Sequence, residues 1–247
     1  MFPIRDHNPS GRTPYVTYLL LMANIVIFLS YAGVMQDARA INGIWYAWAM
    51  IPQRVSAGDA TYTLITSMFL HGGFLHLVGN LLFLWIFGDN IEDTMGHWRF
   101  LGFYLAAGVL ASVAQLVTEP YSPVPMVGAS GAIAGVMGAY LLLFPKAKVD
   151  ILIILIVFFK VLPIPAWIML ALWFGMQFLG GIGSEAGTGG VAYWAHAGGF
   201  VAGLLLAVPV WLKRGGTRFW HQTHGAPPHP EARYRFSESR IPKVGRK

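Results

Sequence analysis

Val127-Gly128-Ala129-Ser130-Gly131-Ala132-Ile133-Ala134-Gly135-Val136-Met137-Gly138 follows directly on the Pro-rich stretch Glu119-Pro120-Tyr121-Ser122-Pro123-Val124-Pro125. The prolines hold the chain out of a helix and the uncharged run then starts one, so Ser130 falls at or just inside a helix N-terminus. Backbone N–H groups are unpaired there and the helix dipole is positive, a setting that stabilises an oxyanion. The small residues Gly128, Gly131, Ala134, Gly135 and Gly138 let a second helix approach almost backbone to backbone. The matching stretch lies far downstream, in Trp194-Ala195-His196-Ala197-Gly198-Gly199-Phe200-Val201-Ala202-Gly203. His196, Gly199 and Gly203 recur there at i, i+3 and i+7, one helical face with one imidazole and two gaps. Docking of these two faces would bring Ser130 and His196 together.

The rest of the composition places that event in a membrane. Charged residues are 11% of the 247, against roughly 25% in ordinary soluble domains, and 55% are hydrophobic. A spanning helix takes about 20 residues, so six would use about 120 and leave room for loops and a tail. An all-α integral membrane fold is therefore expected. The chain has no cysteine, which excludes disulfides. The net charge of +6 does not point to nucleic acid, because nine of the seventeen Lys and Arg lie after Leu212, where a basic tail acts as a topology signal.

Outward from the serine stretch, six apolar spans are legible. The first runs from Pro14 to Gly33; it is longer than a signal-peptide core and lacks a small-x-small cleavage site ahead of a soluble domain. Val34 to Thr61 carries Trp45, Tyr46 and Trp48 and reads as a loop lying in the interface. The second span, about Leu64 to Gly88, holds His71, His76 and Asn80, with His76 and Asn80 four apart on one face. Asp89, Glu92, Asp93 and Arg99 mark an aqueous turn before a third span, Phe100 to Val117, and the fourth is Ser130 to Phe144. Val149 to Leu162 is too short to cross and contains Lys160, so an interfacial hairpin or re-entrant piece is expected. Trp167 to Leu179 is the fifth span, Gly180 to Gly190 a flexible Gly-rich loop, and Ala192 to Leu212 the sixth. The organisation expected is thus a cytoplasmic segment 1–13, a membrane domain 14–212 and a disordered basic tail 213–247.

With the N-terminus in the cytoplasm, all of the seventeen Lys and Arg except Arg39 and Arg54 fall on the cytoplasmic side. Both termini are then cytoplasmic, and Ser130, His196, His71 and His76 reach one depth toward the outer face. Taken singly, a serine between glycines is ordinarily a packing residue, and Trp85, Trp98, Trp167, Trp173 and Trp194 read as interface anchors. Their convergence from three separated segments is what a purely structural role does not require. Zinc proteolysis lacks its His-Glu-x-x-His ligands, Asp89 has no second acid in a span to pair with, and His221, His224 and His229 have no carboxylate or Cys partners at fixed spacing. No metal and no cofactor are expected. Ser130 as nucleophile and His196 as base remain, with no Asp or Glu placed to orient the imidazole. His76, the Asn80 amide and the Ser130 backbone N–H are the candidate donors to a tetrahedral intermediate.

Three motifs in this order, His71-Gly72-Gly73-Phe74-Leu75-His76-Leu77-Val78-Gly79-Asn80, Gly128-Ala129-Ser130-Gly131 and Ala195-His196-Ala197-Gly198-Gly199, resemble those of rhomboid intramembrane serine proteases of the bacterial six-span type. The resemblance covers nearly all of Pro14 to Leu212. It implies a six-transmembrane rhomboid-like bundle with an interfacial first loop, probed by transmembrane protein substrates in the lipid of a bacterial cytoplasmic membrane. It also implies an endopeptidase cutting membrane proteins in or near their spans. By the same mapping Ser130 is the nucleophile, His196 the base, His76 and Asn80 line the oxyanion site, and Gly128 and His71 support it. Two departures stand out: Tyr62-Thr63 where many relatives carry Trp-Arg, and Ala134 where some carry an aromatic that stacks on the catalytic imidazole. The rival readings are a catalytically inactive rhomboid-like protein that binds transmembrane clients, and a transporter, which would more often show internal repeats.

Overall fold

The computed structural model describes residues 2–155, 158–184 and 190–229. Among them, five helices are long and apolar enough to cross a membrane: α1 (Tyr15–Ala32), α5 (Phe74–Met95), α6 (His97–Thr118), α8 (Ala166–Gly183) and α9 (Tyr193–Lys213). A sixth apolar helix, α7 (Ser130–Leu143), has 14 residues. At 1.5 Å per residue it covers about 21 Å of a roughly 30 Å hydrocarbon layer. It is the centre of the bundle: eleven of its residues, including Ala132, Val136, Met137 and Tyr140, are buried.

Small residues explain why α7 can be surrounded so closely. A Cβ on Gly199 or Gly203 of α9 would lie 2.2 Å from the Gly131 carbonyl oxygen or 2.0 Å from that of Gly135. On Gly138 of α7 it would meet the Phe200 oxygen at 2.1 Å. The α6 helix joins the same seam, where a Cβ on Gly135 would sit 2.5 Å from Ala107 Cβ and one on Gly198 would sit 2.2 Å from Ala114 Cβ. Backbone approach of this kind drives helix association where lipid removes the hydrophobic incentive.

The first loop folds as α2 (Ala38–Trp48) and α3 (Pro52–Ser56), the former capped by Asp37, whose carboxylate accepts from the backbone N–H of Arg39 and Ala40. It is tied across to the Pro-rich loop by the Met50–Met126 bridge and by Ser56 Oγ donating to the Pro120 oxygen at 2.8 Å. Tyr62 holds it from the other side, donating to the Ala47 oxygen at 2.8 Å and meeting Trp48 edge-on, while Thr63 is buried and donates to Ala60 O at 2.6 Å. Arg54 stacks on the Tyr46 ring at 3.9 Å and pairs with Asp59 at 2.6 Å. The Tyr62-Thr63 pair thus fastens the loop with neutral hydrogen bonds.

Several boundaries differ from the sequence reading. The segment from Leu64 is not yet the second span: α4 (Thr63–Thr66) and a 3-10 turn at Ser67–Phe69 precede it, and α5 starts only at Phe74, after Gly72 and Gly73. Asp89, Glu92 and Asp93 lie in the last turns of α5 and form no aqueous turn; the break is Gly96 alone, at φ +82°. Glu92 is buried because it caps α1, accepting from Val16 N at 2.9 Å, Thr17 N at 2.7 Å and Thr17 Oγ1 at 2.7 Å. Gly180, Gly181 and Gly183 belong to α8, the first two because their missing side chains admit the Tyr193 and Trp194 rings; residues 185–189 of the expected Gly-rich loop lie outside the described residues.

The expected hairpin after α7 is present as β2 (Lys148–Leu155) and β3 (Phe158–Pro165), antiparallel. The N-terminal segment adds β1 (Phe2–Asp6) to its edge, so a three-stranded sheet β1-β2-β3 departs from a purely helical fold. Nor is the chain after Lys213 irregular throughout. The short α10 (Thr217–Thr223) packs Phe219 into the core beside Phe144, and Trp220 donates to Leu142 O at 2.8 Å; residues 230–247 lie outside the described part.

Candidate active site

The N-terminus of α7 opens into a cavity of about 510 Å³ lined by Ser130 and His196 together with His76, Asn80, Gln115 and Trp173. Ser130 Oγ stands 2.7 Å from His196 Nε2, a hydrogen bond joining residues 66 apart in sequence. The α7–α9 glycine seam places them. Ser130 precedes Gly131 and Gly135, His196 precedes Gly199 and Gly203, and these two glycines of α9 rest on carbonyls of α7. The start of α9 is further fixed by Gln115 of α6, whose side-chain oxygen accepts from Ala195 N at 3.2 Å. With its C-terminal end, which leads to Lys146 and Lys148, at one surface, a helix as short as α7 would leave Ser130 about 10 Å short of the other surface of a hydrocarbon layer.

Gly128 shapes the floor. Its φ of +129° is a conformation side chains rarely adopt, and a Cβ there would lie 2.8 Å from His76 Nε2 and 3.4 Å from Ser130 Oγ. Its own N–H donates to Ser67 O at 2.9 Å, which locks the turn. His76 Nδ1 accepts from Gly72 N at 3.4 Å, so the ring proton sits on Nε2, facing Gly128 and the serine. One Asn80 N–H is held by the His76 carbonyl at 3.0 Å, leaving its second hydrogen for the cavity. These donors and the first-turn N–H groups of α7, which no side chain caps, belong to the same cavity as the serine. His71 does not line the cavity. It is fully buried behind His76, rings 5.1 Å apart and edge-on, with its backbone N–H and carbonyl both bonded to the Tyr31 hydroxyl at 2.7 and 3.0 Å.

Two residues at the imidazole were not picked out from the sequence. Gln177 Oε1 is 2.8 Å from His196 Nδ1, and the Trp173 ring lies 5.8 Å from the His196 ring, tilted 35°. Trp173 is thus no simple interface anchor: it occupies the aromatic role that Ala134, fully buried in the seam, cannot fill. The signal was present in part, since Gln177 is a lone amide in an apolar span and sits one turn from Trp173 on the same face.

The model of the rhomboid domain matches residues 58–213, which contain the serine turn, both histidine motifs and the whole cavity floor. Rhomboid protease GluP of Bacillus subtilis (strain 168) is 37% identical over 130 residues, 52% of this chain and 24% of that protein. Rhomboid protein 1, mitochondrial, of Saccharomyces cerevisiae is 33% identical over 154 residues, 58% of this chain and 40% of that protein. RHOMBOID-like protein 5 of Arabidopsis thaliana is 34% identical over 91 residues, 37% of this chain and 29% of that protein. The matches therefore span less than half the length of these relatives. Carrying a domain match over well more than half of its residues on a helical membrane bundle, the chain belongs to the rhomboid family.

Proposed function

We propose that this protein is an intramembrane serine endopeptidase that hydrolyses peptide bonds in or near the transmembrane segments of other membrane proteins. The observation that carries the reading is the 2.7 Å contact between Ser130 Oγ and His196 Nε2 in a cavity of a bundle whose long helices are apolar enough to cross a membrane. Nε2 takes the hydroxyl proton as Oγ bonds to the substrate carbonyl carbon. The resulting oxyanion is met by His76 Nε2–H, the Asn80 amide and the N–H groups at the start of α7. Collapse breaks the C–N bond, Nε2–H protonates the leaving amine, and water repeats the sequence to release the acyl group from Ser130. Polar lining by Gln115, Glu119 and Ser122 supplies a route for that water.

The basic residues favour an orientation with the flanking segments 1–13 and 213–247 on the cytoplasmic side, which directs the cavity to the outer face; a bacterial cytoplasmic membrane is proposed from the resemblance to bacterial relatives. The rival reading, a client-binding protein without activity, leaves the serine–imidazole hydrogen bond without a purpose. The test is cleavage of a transmembrane reporter by purified protein in liposomes. Ser130→Ala and His196→Ala should each abolish product without loss of expression, and Asn80→Ala should slow turnover about 10- to 1000-fold. Undiminished cleavage by Ser130→Ala would place the nucleophile elsewhere.

A further inference from the structure

The proposed base must present an unprotonated Nε2 to Ser130, which requires its one ring proton to sit on Nδ1. Nothing intrinsic to imidazole enforces that choice, and among the described residues no carboxylate contacts His196. Among the described residues its ring makes two hydrogen bonds, to Ser130 Oγ on Nε2 and to Gln177 Oε1 at 2.8 Å on Nδ1. An amide oxygen accepts and cannot donate, so the Nδ1–H tautomer is the one that satisfies this pair. The rest of the surroundings agree. Trp173, four residues before Gln177 on α8, covers the imidazole with its ring and in turn lies 6.1 Å from Phe200, one turn after His196 on α9. The imidazole is thus held in plane by one aromatic and in rotation by one amide, both from α8.

We propose that Gln177 is a positioning residue of this site, the neutral counterpart of the carboxylate that orients the histidine in soluble serine hydrolases. The proposal rests on the protease reading above. A neutral acceptor suits the depth of the site: a carboxylate in an apolar span carries a desolvation cost that an amide avoids, at the expense of weaker stabilisation of the imidazolium formed during attack. Chemically the consequence is limited to the fraction of His196 in the reactive tautomer and to its orientation; Gln177 touches no reacting atom.

The experiment compares wild type with Gln177→Leu and Gln177→Glu, both close in size. Nitrogen-15 NMR of histidine-labelled protein, with His196→Ala to identify the resonance, reads the tautomer directly. Wild type and Gln177→Glu should show a protonated Nδ1 on His196, and Gln177→Leu should show a mixture with protonated Nε2. In reporter cleavage Gln177→Leu should lower kcat at least about tenfold at unchanged KM. Gln177→Glu should recover most of that rate, with the acidic limb of its pH profile moved to higher pH, because a nearby anion favours the imidazolium. An unprotonated Nδ1 in wild type, or the same tautomer and kcat in Gln177→Leu, would overturn the assignment. The NMR readout needs no turnover, so a wild type that cleaves nothing yet shows a Gln177-dependent tautomer would count against the protease reading and leave the positioning role standing.

Discussion

A methyl group placed on Gly203 would fall 2.0 Å from the Gly135 oxygen, whereas one on Gly175 meets nothing within 4 Å. The two substitutions therefore separate packing from helix propensity. Gly203→Ala must push α9 off α7, and since α9 carries His196 the serine–imidazole contact lengthens with it. Gly175→Ala only removes backbone freedom from the unfolded chain and should be neutral or stabilising by about 0.5–1 kcal/mol. Thermal unfolding in detergent should show Gly203→Ala destabilised by roughly 1–3 kcal/mol, with reporter cleavage reduced more than tenfold. Gly128→Ala tests the floor of the cavity: the φ of +129° and the 2.8 Å approach to His76 Nε2 both oppose it, so turnover should collapse and stability should fall by about 1–3 kcal/mol. At this scale the serine, both histidines of the cavity and the glycines were legible, since a polar or tiny residue in an apolar span is conspicuous. Gln177 and Trp173 were not, because only the packing of α8 against α9 shows which face of α8 meets the imidazole.

Among the elements, the spans could be read from apolar runs, and the hairpin β2–β3 from a run too short to cross. What escaped were partners distant in sequence. Glu92 looks like a solvated charge until α1 brings its unpaired N–H groups to it, 75 residues away. Strand β1 has no signal of its own; its identity comes from pairing with β2, in the register Phe2 with Leu152 and Asp6 with Val149. That pairing buries Asp6 between α5 and α7, where it accepts from Asn90 Nδ2 at 2.6 Å and from the Tyr140 hydroxyl at 3.1 Å. Burial, and then the neighbouring charge of Asp89, raise the Asp6 pKa from 3.8 to about 7, with Tyr140, His7 and Asn8 pulling the other way. A carboxyl whose folded pKa lies above its unfolded one favours folding at low pH, and that advantage is lost as pH rises from about 4 to about 7. Protection of the β1 amides in hydrogen exchange, corrected for intrinsic rates, should therefore fall across this window and level off above it. Asp6→Asn keeps an oxygen to accept from Asn90 and Tyr140 and should flatten the profile; an unchanged slope in that variant would assign the proton to another group.

For the molecule as a whole, the length of α7 and the sidedness of charge are coupled. A helix of about 21 Å cannot reach both surfaces, so the end that lies near lysines belongs at one interface and the serine end must open, through the cavity, toward the other. Which face that is depends on the basic residues: Arg39 and Arg54 share the side of the Pro-rich loop, while Arg5, Arg12, Arg99, Lys146, Lys148 and Lys213 share the side of β1–β3 and α10. Under the proposed orientation, in which Lys and Arg concentrate inside, the sheet would lie in the cytoplasm and the cavity outside. The absence of cysteine makes this directly measurable, because a single introduced thiol is the only one in the chain. Tyr121, 82% exposed in the Pro-rich loop, and Thr217, exposed at the start of α10, report the two sides. In intact cells a membrane-impermeant maleimide should label Tyr121→Cys at once and Thr217→Cys only after permeabilisation. The reverse pattern would open the cavity to the cytoplasm and require that any substrate be cut from that side.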